Sequence, residues 1–318
     1  MASITPQIPI TPADRPSRGD RAFRALCVAA ALIALAIVST ALVFMVREAW
    51  PAISASGVRH FFLDSAWKPG EEKFGVLGLL EGTVIIASIA MLVAVPTAIM
   101  MALFINEYAP KSIARALTTA IDLLAALPSL IFALWGFWAF KNHLVPVARW
   151  MSVHLVAVPF FRLTGRSAQL IGSSFVAGVV VGIMVLPIIT SISREVMGRV
   201  PRDVCEGALA LGGTRWGMIR CVVLPFGRSG IVSAALLGFG RALGETIAVA
   251  YLVSLTFKAN WHVLEQGAGS VAGLIATRFG EASTMERSGL VAAGLSLLLL
   301  TFSVSLLSRY IVDRKAVT

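Results

Sequence analysis

A chain of 318 residues that is 57% hydrophobic and only 14% charged has too few polar side chains to cover a water-soluble core. These values exclude a soluble globular domain and indicate that lipid is the solvent for most of the chain. The formal charge of +10 could suggest nucleic-acid binding, but basic residues in a membrane protein more often set its topology. The cysteines Cys27, Cys205 and Cys221 have no repeated spacing, so we expect free thiols rather than a disulfide framework or a metal site.

Residues 1–24 are rich in Pro, Ser, Thr and Arg, and we predict that they form a disordered cytoplasmic tail. Residues 25–46 are a continuous apolar run, long enough to cross about 30 Å of hydrocarbon. A signal peptide is the alternative for this run, but its length and the tail before it favour a membrane span. Further apolar runs follow, so the sequence predicts an all-α integral membrane protein with six transmembrane helices. The predicted spans are Ala25–Val46, Leu77–Phe104, Leu117–Phe140, Leu170–Ile192, Ile231–Thr256 and Leu290–Leu307.

Charge placement predicts the orientation of these spans. Lys and Arg crowd the short segments that are cytoplasmic if the amino terminus is inside, whereas the basic residues outside are spread over long segments. Both termini are therefore expected in the cytoplasm. The predicted organisation is then a first span, 25–46, an external segment, 47–76, a membrane core, 77–309, with a cytoplasmic loop, 194–228, and a cytoplasmic tail, 310–318.

Three prolines lie inside predicted spans, namely Pro96, Pro128 and Pro187. Proline is tolerated in membrane helices when neighbouring groups satisfy the freed backbone. We expect each of the three to kink or end its helix.

The cytoplasmic loop between the fourth and fifth spans has a regular local pattern. Pro201, followed by acidic residues and then alanines and leucines, predicts a short helix, which Gly212-Gly213 ends. A second helical stretch from Trp216 follows, and Pro225 is expected to end the loop before the next span. One interpretation is an amphipathic surface helix that merely links two spans.

The spacing within the loop supports a sharper interpretation. Glu206-Gly207-Ala208, Gly212, Val222 and Leu224-Pro225 resemble the signature loop of ABC importer permeases, with every spacing kept. The resemblance implies that the short helix sits in a groove of a separate ATPase subunit, with docking residues Glu206, Gly207, Ala208, Gly212, Leu224 and Pro225. The sequence contains no Gly-x-x-x-x-Gly-Lys-(Ser/Thr) phosphate loop. We therefore expect no cofactor on this chain, and ATP with Mg²⁺ on the partner ATPase.

Charged residues also occur at predicted membrane depth. Arg241 and Glu245 are four residues apart in the fifth span, so they are expected to share a helix face and neutralise one another. One interpretation is that the pair pins a helix interface, with Gly240 and Gly244 as its small-residue packing face. The other is that Arg241 lies along a translocation path and offers forked donors to a tetrahedral oxyanion, while Glu245 holds the guanidinium. Asp122, inside the third span, is expected to pair with Arg241 or with a partner subunit.

Three stretches, Phe104–Pro110, Asp122–Gly136 and Gly240–Thr246, resemble the permeases of phosphate ABC importers, and within them the PstC type rather than PstA. The resemblance implies a type I importer permease fold, a permease core at 77–309, and a multi-pass location in the bacterial cytoplasmic (inner) membrane. It implies a heterodimer with a PstA-like permease, a PstB-like ATPase dimer and a PstS-like phosphate-binding protein. The path residues are then Arg241, Glu245, Thr246 and Asp122.

Two other functions remain open. A permease for another oxyanion, sulfate or molybdate, would keep the docking loop but typically differs around Arg241–Thr246. A membrane-embedded enzyme or receptor is the alternative from another class. An enzyme would need a nucleophile or metal constellation within the spans, and the sequence contains neither, because His60, His143, His154 and His262 do not cluster. We therefore expect no catalytic residues and no metal site.

Overall fold

The computed structural model describes residues 18–163 and 170–316. The described helices and strands are α1 (Arg18–Ser56), α2 (Val58–Leu63), β1 (Trp67–Lys68), β2 (Lys73–Phe74), α3 (Leu77–Leu103), α4 (Lys111–Ala126), α5 (Ser129–Trp135), α6 (Lys141–His154), α7 (Ser174–Gly198), α8 (Arg202–Ala210), α9 (Arg215–Met218), α10 (Leu224–Leu243), α11 (Ile247–Leu252), α12 (Val271–Arg278) and α13 (Thr284–Ala316). Three single π turns extend or join helices, at Phe104–Tyr108, Gly136–Phe140 and Ile219–Val223.

Within residues 18–163 and 170–316, five helical stretches are long and apolar enough to cross a membrane, and a bent pair of helices brings the number to six if it forms one span. The five are Arg18–Ser56, Leu77–Tyr108, Ser174–Gly198, Arg215–Leu243 and Thr284–Leu307, and the bent pair is Lys111–Ala126 with Ser129–Phe140. The prediction of a multi-pass, all-α membrane protein is confirmed. A two-stranded antiparallel hairpin, which pairs Trp67 with Phe74 and Lys68 with Lys73, is a small addition to it.

The chain divides into two units, residues 1–48 and 49–318. In the first unit, α1 begins at Arg18, so residues 18–24 of the predicted disordered tail are helical. The rest of that tail, residues 1–17, lies outside the described residues. In the second unit, α13 runs to Ala316, so most of the predicted carboxyl-terminal tail continues the last helix.

The third predicted span, Leu117–Phe140, is broken at Pro128, one of the three prolines that we expected to kink or end a helix. α4 ends at Ala126, α5 starts at Ser129, and the two axes differ by 97°. Pro128 lies at this break and disfavours the α conformation of the residue before it, Leu127, which is extended with ψ 136°. By contrast, α3 and α7 continue through their prolines. Only one of the three expected kinks or ends therefore coincides with a helix break.

The fifth predicted span, Ile231–Thr256, is wrong as a single helix. α10 ends at Leu243, the short α11 follows after a break at residues 244–246, and the chain from 253 to 270 is not helical. α11 packs on α5, the first helix after the other break. The breaks in the two spans thus bring these short helices into contact.

The core of the second unit is formed where α7 packs along α3 and α10. Alanines face larger side chains there, with Ala87, Ala90 and Ala94 of α3 all fully buried. Gly182 of α7 lies close to the α3 backbone, because a Cβ atom at this position would lie 2.9 Å from the carbonyl oxygen of Ala90. Small residues let membrane helices pack backbone to backbone, so this contact fixes α3 and α7 as the frame on which the candidate sites are built.

Candidate functional site: a docking loop and a membrane groove

The loop between α7 and α10 presents α8 as an exposed knob. α8 contacts the rest of the chain through Cys205 and Ala208, which are three residues apart and pack on a buried apolar cluster. Glu206 and Gly207 are exposed. Large apolar side chains on and after the helix are also open, with Leu211 91% and Trp216 59% exposed. An exposed apolar surface of this kind is typical of a protein interface.

The turn after α8 requires its two glycines for different reasons. Gly212 has φ +85°, in the left-handed region that costs other residues about 1–2 kcal/mol. Gly213 has an ordinary backbone, but a Cβ there would lie 2.6 Å from the carbonyl oxygen of Ala208. The prediction that Gly212-Gly213 ends the helix is confirmed, since α8 stops at Ala210.

The second half of the loop joins the next span without interruption. Thr214 caps α9 by accepting a hydrogen bond of 3.1 Å from the Gly217 amide. Helical structure then runs from Arg215 to Leu243, so the prediction that Pro225 ends the loop is wrong. Proline has no amide hydrogen to donate to the helix. The π turn at Ile219–Val223, just before Pro225, already interrupts the regular pattern of α-helical hydrogen bonds, so helical structure continues although this donor is missing.

The loop between α7 and α10 is anchored to three spans at once. A buried cluster joins the end of α3, the end of α7, the loop and the start of α10; its members are Ala102, Leu103, Met197, Val200, Met218, Ile219, Val223 and Ile231. Two polar contacts add to it at the π turn after α3. Asn106 Nδ2 donates to the Arg194 carbonyl at 2.8 Å, and Arg215 Nη1 donates to the Glu107 carbonyl at 3.3 Å. The loop is therefore packed against the ends of α3 and α7 and the start of α10.

The segment that contacts the loop, Phe104–Tyr108, was not predicted to do so. The Arg215 guanidinium carbon lies 6.0 Å from the ring centroid of Tyr108, in addition to its bond to Glu107. The only signal in the sequence was the position of Phe104–Pro110 within a stretch that resembles phosphate permeases. Contacts between residues more than a hundred positions apart leave no local pattern.

Cys205 lies on the side of α8 that packs against the buried cluster, and this position affects the pKa of its thiol. Burial raises the pKa of its thiol, and the nearby carboxylates of Glu107, Asp203 and Glu206 raise it further. Because the thiolate is the reactive form, Cys205 is expected to be a slow nucleophile near neutral pH.

Arg241 and Glu245 do not neutralise one another, so the predicted ion pair is wrong. α10 ends at Leu243, and the i, i+4 geometry of a helix is lost before Glu245. The Glu245 side chain is buried, and its Oε1 accepts a hydrogen bond of 3.2 Å from the Ala248 amide at the start of α11. Arg241 is exposed and forms no ion pair with another of the described residues. Thr246 donates to the Gly244 carbonyl at 3.1 Å within the same break.

Arg241 instead lines a groove of about 610 Å³ between α7, α10 and α13. The groove is lined by Ile188, Ser233, Leu236, Leu237, Gly240, Arg241, Thr301 and Ser305. The hydroxyls of Ser233, Thr301 and Ser305 donate to carbonyls one turn back on their own helices. These three residues were missed by the sequence reasoning. Their only signal is that hydroxyl side chains recur within apolar spans.

Asp122 lies on α4 and faces α7. Its Oδ1 accepts a hydrogen bond of 3.3 Å from Ser191, and the residue is exposed. The expected pairing of Asp122 with Arg241 is not observed in the part of the chain that the structure describes. Ser191 is one helical turn from Ile188, which lines the groove, so Asp122 is placed beside the groove rather than on Arg241.

Comparison with known proteins identifies the family. Residues 94–317 match the family described as "Binding-protein-dependent transport system inner membrane component". The chain is 38% identical over 307 residues to the phosphate transport system permease protein PstC 2 of Mycobacterium tuberculosis, covering 95% of this chain and 94% of that one. It is 38% identical over 322 residues to the phosphate transport system permease protein PstC of Xylella fastidiosa, covering 98% and 97%.

A solved structure shares the fold at lower identity. The crystal structure of a bacterial ABC transporter involved in the import of the acidic polysaccharide alginate matches 92% of this chain and 99% of its own, with 16% identity and a TM-score of 0.55. The matched family region contains both the docking loop and the Arg241 groove. The chain belongs to the binding-protein-dependent transport system inner membrane components, and within them to the PstC permeases.

Proposed function

We propose that this chain is the transmembrane permease subunit of an ATP-driven importer of inorganic phosphate. It forms half of the translocation path and docks an ATPase through residues 206–225. The PstC relatives support the cargo, because the likeness to them extends over nearly the whole of both chains. The chain is a permease component, and ATP with Mg²⁺ binds to the separate ATPase.

The observation that carries this proposal is the unneutralised guanidinium of Arg241 in a groove within a membrane span. A charged side chain at the bilayer centre costs about 2.5–3.5 kcal/mol on insertion scales. Its forked donors fit two oxygens of a tetrahedral oxyanion, and Ser233, Thr301 and Ser305 place hydroxyls on the same groove. Glu245 does not hold the Arg241 guanidinium as expected; its carboxylate accepts a hydrogen bond at the start of α11 and stabilises that helix. Asp122 and Thr246 complete the proposed path residues.

The docking role rests on the geometry of the loop. α8 is exposed on one side and anchored on the other, and the loop continues into α10 without a break. Movement of an ATPase bound to Glu206, Gly207, Ala208 and the Gly212 turn would therefore reach α3, α7 and α10 together. Leu224 and Pro225 belong to the joint between the loop and α10. A PstB-like ATPase dimer is the proposed partner.

The proposed partner within the membrane is a PstA-like permease. A Cβ atom added at Gly240 would meet no described atom of a neighbouring helix within 4 Å, and a second groove of about 530 Å³ shares Gly240, Thr301 and Ser305 with the first. The surface between α10 and α13 is thus open for a second permease to close the path. We place the assembly in the bacterial cytoplasmic (inner) membrane, with both termini in the cytoplasm because of the basic short segments, and with a PstS-like phosphate-binding protein outside.

Uptake measurements in cells with and without this gene test the proposal. Radiolabelled phosphate uptake should be lost without the gene and restored by the wild-type chain, whereas labelled sulfate and molybdate uptake should not change. Arg241→Ala should not restore phosphate uptake, while the variant still co-purifies with the ATPase. Uptake that follows sulfate or molybdate would establish the alternative oxyanion permease. Normal phosphate transport by Arg241→Ala would remove Arg241 from the path.

A further inference from the structure

α6 buries one face and leaves the other open along its whole length. Leu144 and Ala148 are buried against the core. The opposite face lines a groove of about 460 Å³ at intervals of three and four residues; its lining is Asn142, Val145, Pro146, Arg149, Trp150, Val153, His154 and, from the opposite wall, Ile171. At 1.5 Å per residue, the lined part of α6 is about 18 Å long, similar to one leaflet of a hydrocarbon core of about 30 Å.

The groove lies in a stretch of the chain without carboxylates. From Leu123 to Arg194 the sequence contains no Asp or Glu. The Arg149 guanidinium forms no ion pair with another residue between 18–163 or 170–316. The neighbouring loop contributes Glu265, whose Oε2 accepts a hydrogen bond of 3.1 Å from Asn260 Nδ2. The Arg149 guanidinium therefore has no ion-pair partner among the described residues.

Polar and apolar groups are separated within the groove. Val145, Pro146, Val153 and Ile171 provide an apolar track, and Val153 is 64% exposed. The rings of Trp150 and His154 stack at 4.8 Å with an interplanar angle of 19°, and His154 Nδ1 lies 3.0 Å from the Trp150 carbonyl oxygen. These contacts hold two amphipathic rings in place beside the charge, which is typical of side chains at a membrane–water boundary.

The groove is located at one edge of the membrane. Ile171 comes just before α7, and α7 leads to the docking loop at its other end. The 25 residues of α7 rise about 37 Å, more than the hydrocarbon thickness of about 30 Å. The groove therefore lies at the membrane edge opposite the docking loop, where lipid headgroups and acyl chains meet.

We propose that this groove binds one anionic phospholipid of the leaflet opposite the docking loop. Its phosphate accepts hydrogen bonds from the Arg149 guanidinium, and an acyl chain lies along Val145, Pro146 and Val153. A free oxyanion could bind to Arg149 but would leave the apolar track of the groove uncovered. A neutral lipid would use the track but leave the charge uncompensated. The proposal is independent of the cargo of the importer.

The test uses the complete complex, purified and placed in nanodiscs of phosphatidylcholine with a small fraction of phosphatidylglycerol. Native mass spectrometry counts the phosphatidylglycerol molecules retained after release from the nanodisc. Arg149→Gln is expected to weaken retention of one phosphatidylglycerol about tenfold, corresponding to about 1.4 kcal/mol. Arg162→Gln is the matched control, because Arg162 belongs to the same carboxylate-free stretch but does not line the groove. It should retain the lipid as the wild type does.

Two further arms distinguish other occupants. A benzophenone amino acid in place of Val153 should cross-link to lipid upon illumination; a cross-link to a partner subunit instead would overturn the proposal. Excess inorganic phosphate should leave the bound phosphatidylglycerol in place, and its displacement would assign the site to a free anion. Equal retention by Arg149→Gln and the wild type, or equal loss in Arg149→Gln and Arg162→Gln, would also refute it.

Discussion

The Gly212 turn gives the sharpest test of the docking role, through the substitution Gly212→Ala. The left-handed backbone of Gly212, with φ +85°, penalises an L side chain by about 1–2 kcal/mol. No described atom lies within 4 Å of a Cβ at this position, so the substitution strains the backbone without a steric clash. The overall fold should survive, because Gly212 is exposed and remote from the buried cluster that anchors the loop.

The strain should appear as weaker ATPase binding. If the docked form of α8 needs the left-handed turn, a penalty of about 1–2 kcal/mol lowers the ratio of the competent to the incompetent form about 5–30-fold, and the apparent affinity falls by up to the same factor. Titration of the labelled ATPase onto the permease heterodimer in nanodiscs measures this affinity. Phosphate uptake in vesicles shows whether transport falls with it.

Gly207→Ala is the matched control, since it makes the same chemical change five positions earlier. Gly207 lies inside α8, where a Cβ would meet no described atom within 4 Å, and alanine favours a helix interior by about 1 kcal/mol over glycine. The permease signature that this loop resembles commonly has alanine at the position of Gly207, so the interface should accept the added methyl group and ATPase affinity should stay the same or rise. The reasoning fails if Gly212→Ala binds the ATPase like the wild type, or if Gly207→Ala loses as much affinity as Gly212→Ala does.

Three further experiments test the remaining contacts. Arg241→Ala should lower phosphate uptake at least about 30-fold while ATPase association stays intact. Arg241→Lys should retain part of the wild-type uptake, and Ser233→Ala should lower uptake about two- to tenfold; uptake assays rank these three variants. Arg215→Ala should lower uptake per ATP hydrolysed, because the link to Glu107 and Tyr108 is lost, whereas Arg220→Ala should not. In a variant whose only cysteine is Cys205, maleimide labelling should be slow near neutral pH and should accelerate as the pH rises towards the raised pKa of the thiol. Labelling should also slow when the ATPase is bound. Fast labelling at neutral pH would contradict the burial of this thiol.

The local structure of the loop between α7 and α10 could be predicted almost completely because its determinants are local. The end of α8 depends on Gly212 and Gly213, which are adjacent to it in the sequence. Its start depends on Pro201, which directly precedes it. The exception was Pro225, where the preceding π turn lets helical structure continue. A π turn has no clear sequence pattern, so this outcome could not be derived from the residues alone.

Hydrophobicity reports only that a segment is apolar, so two features could not be derived: which of the three prolines breaks its span, and the break at residues 244–246. Pro96, Pro128 and Pro187 look equivalent in the sequence, yet only Pro128 coincides with a helix break. The other two lie in α3 and α7, which pack on each other along much of their length, and such packing can satisfy a freed carbonyl. The groove residues Ser233 and Thr301 belong to different helices, so no spacing rule could bring them together.

The break at residues 244–246 changes what the Arg241 charge can do. In a continuous helix, Glu245 would lie one turn from Arg241 and neutralise it. Because α10 ends at Leu243, the Glu245 carboxylate is available to bind the Ala248 amide and stabilise the start of α11. The break thus gives the Glu245 carboxylate a hydrogen-bond partner other than Arg241. It also removes the ion-pair partner of Arg241, and the unpaired guanidinium in this groove is the basis of our proposal that an external anion enters there.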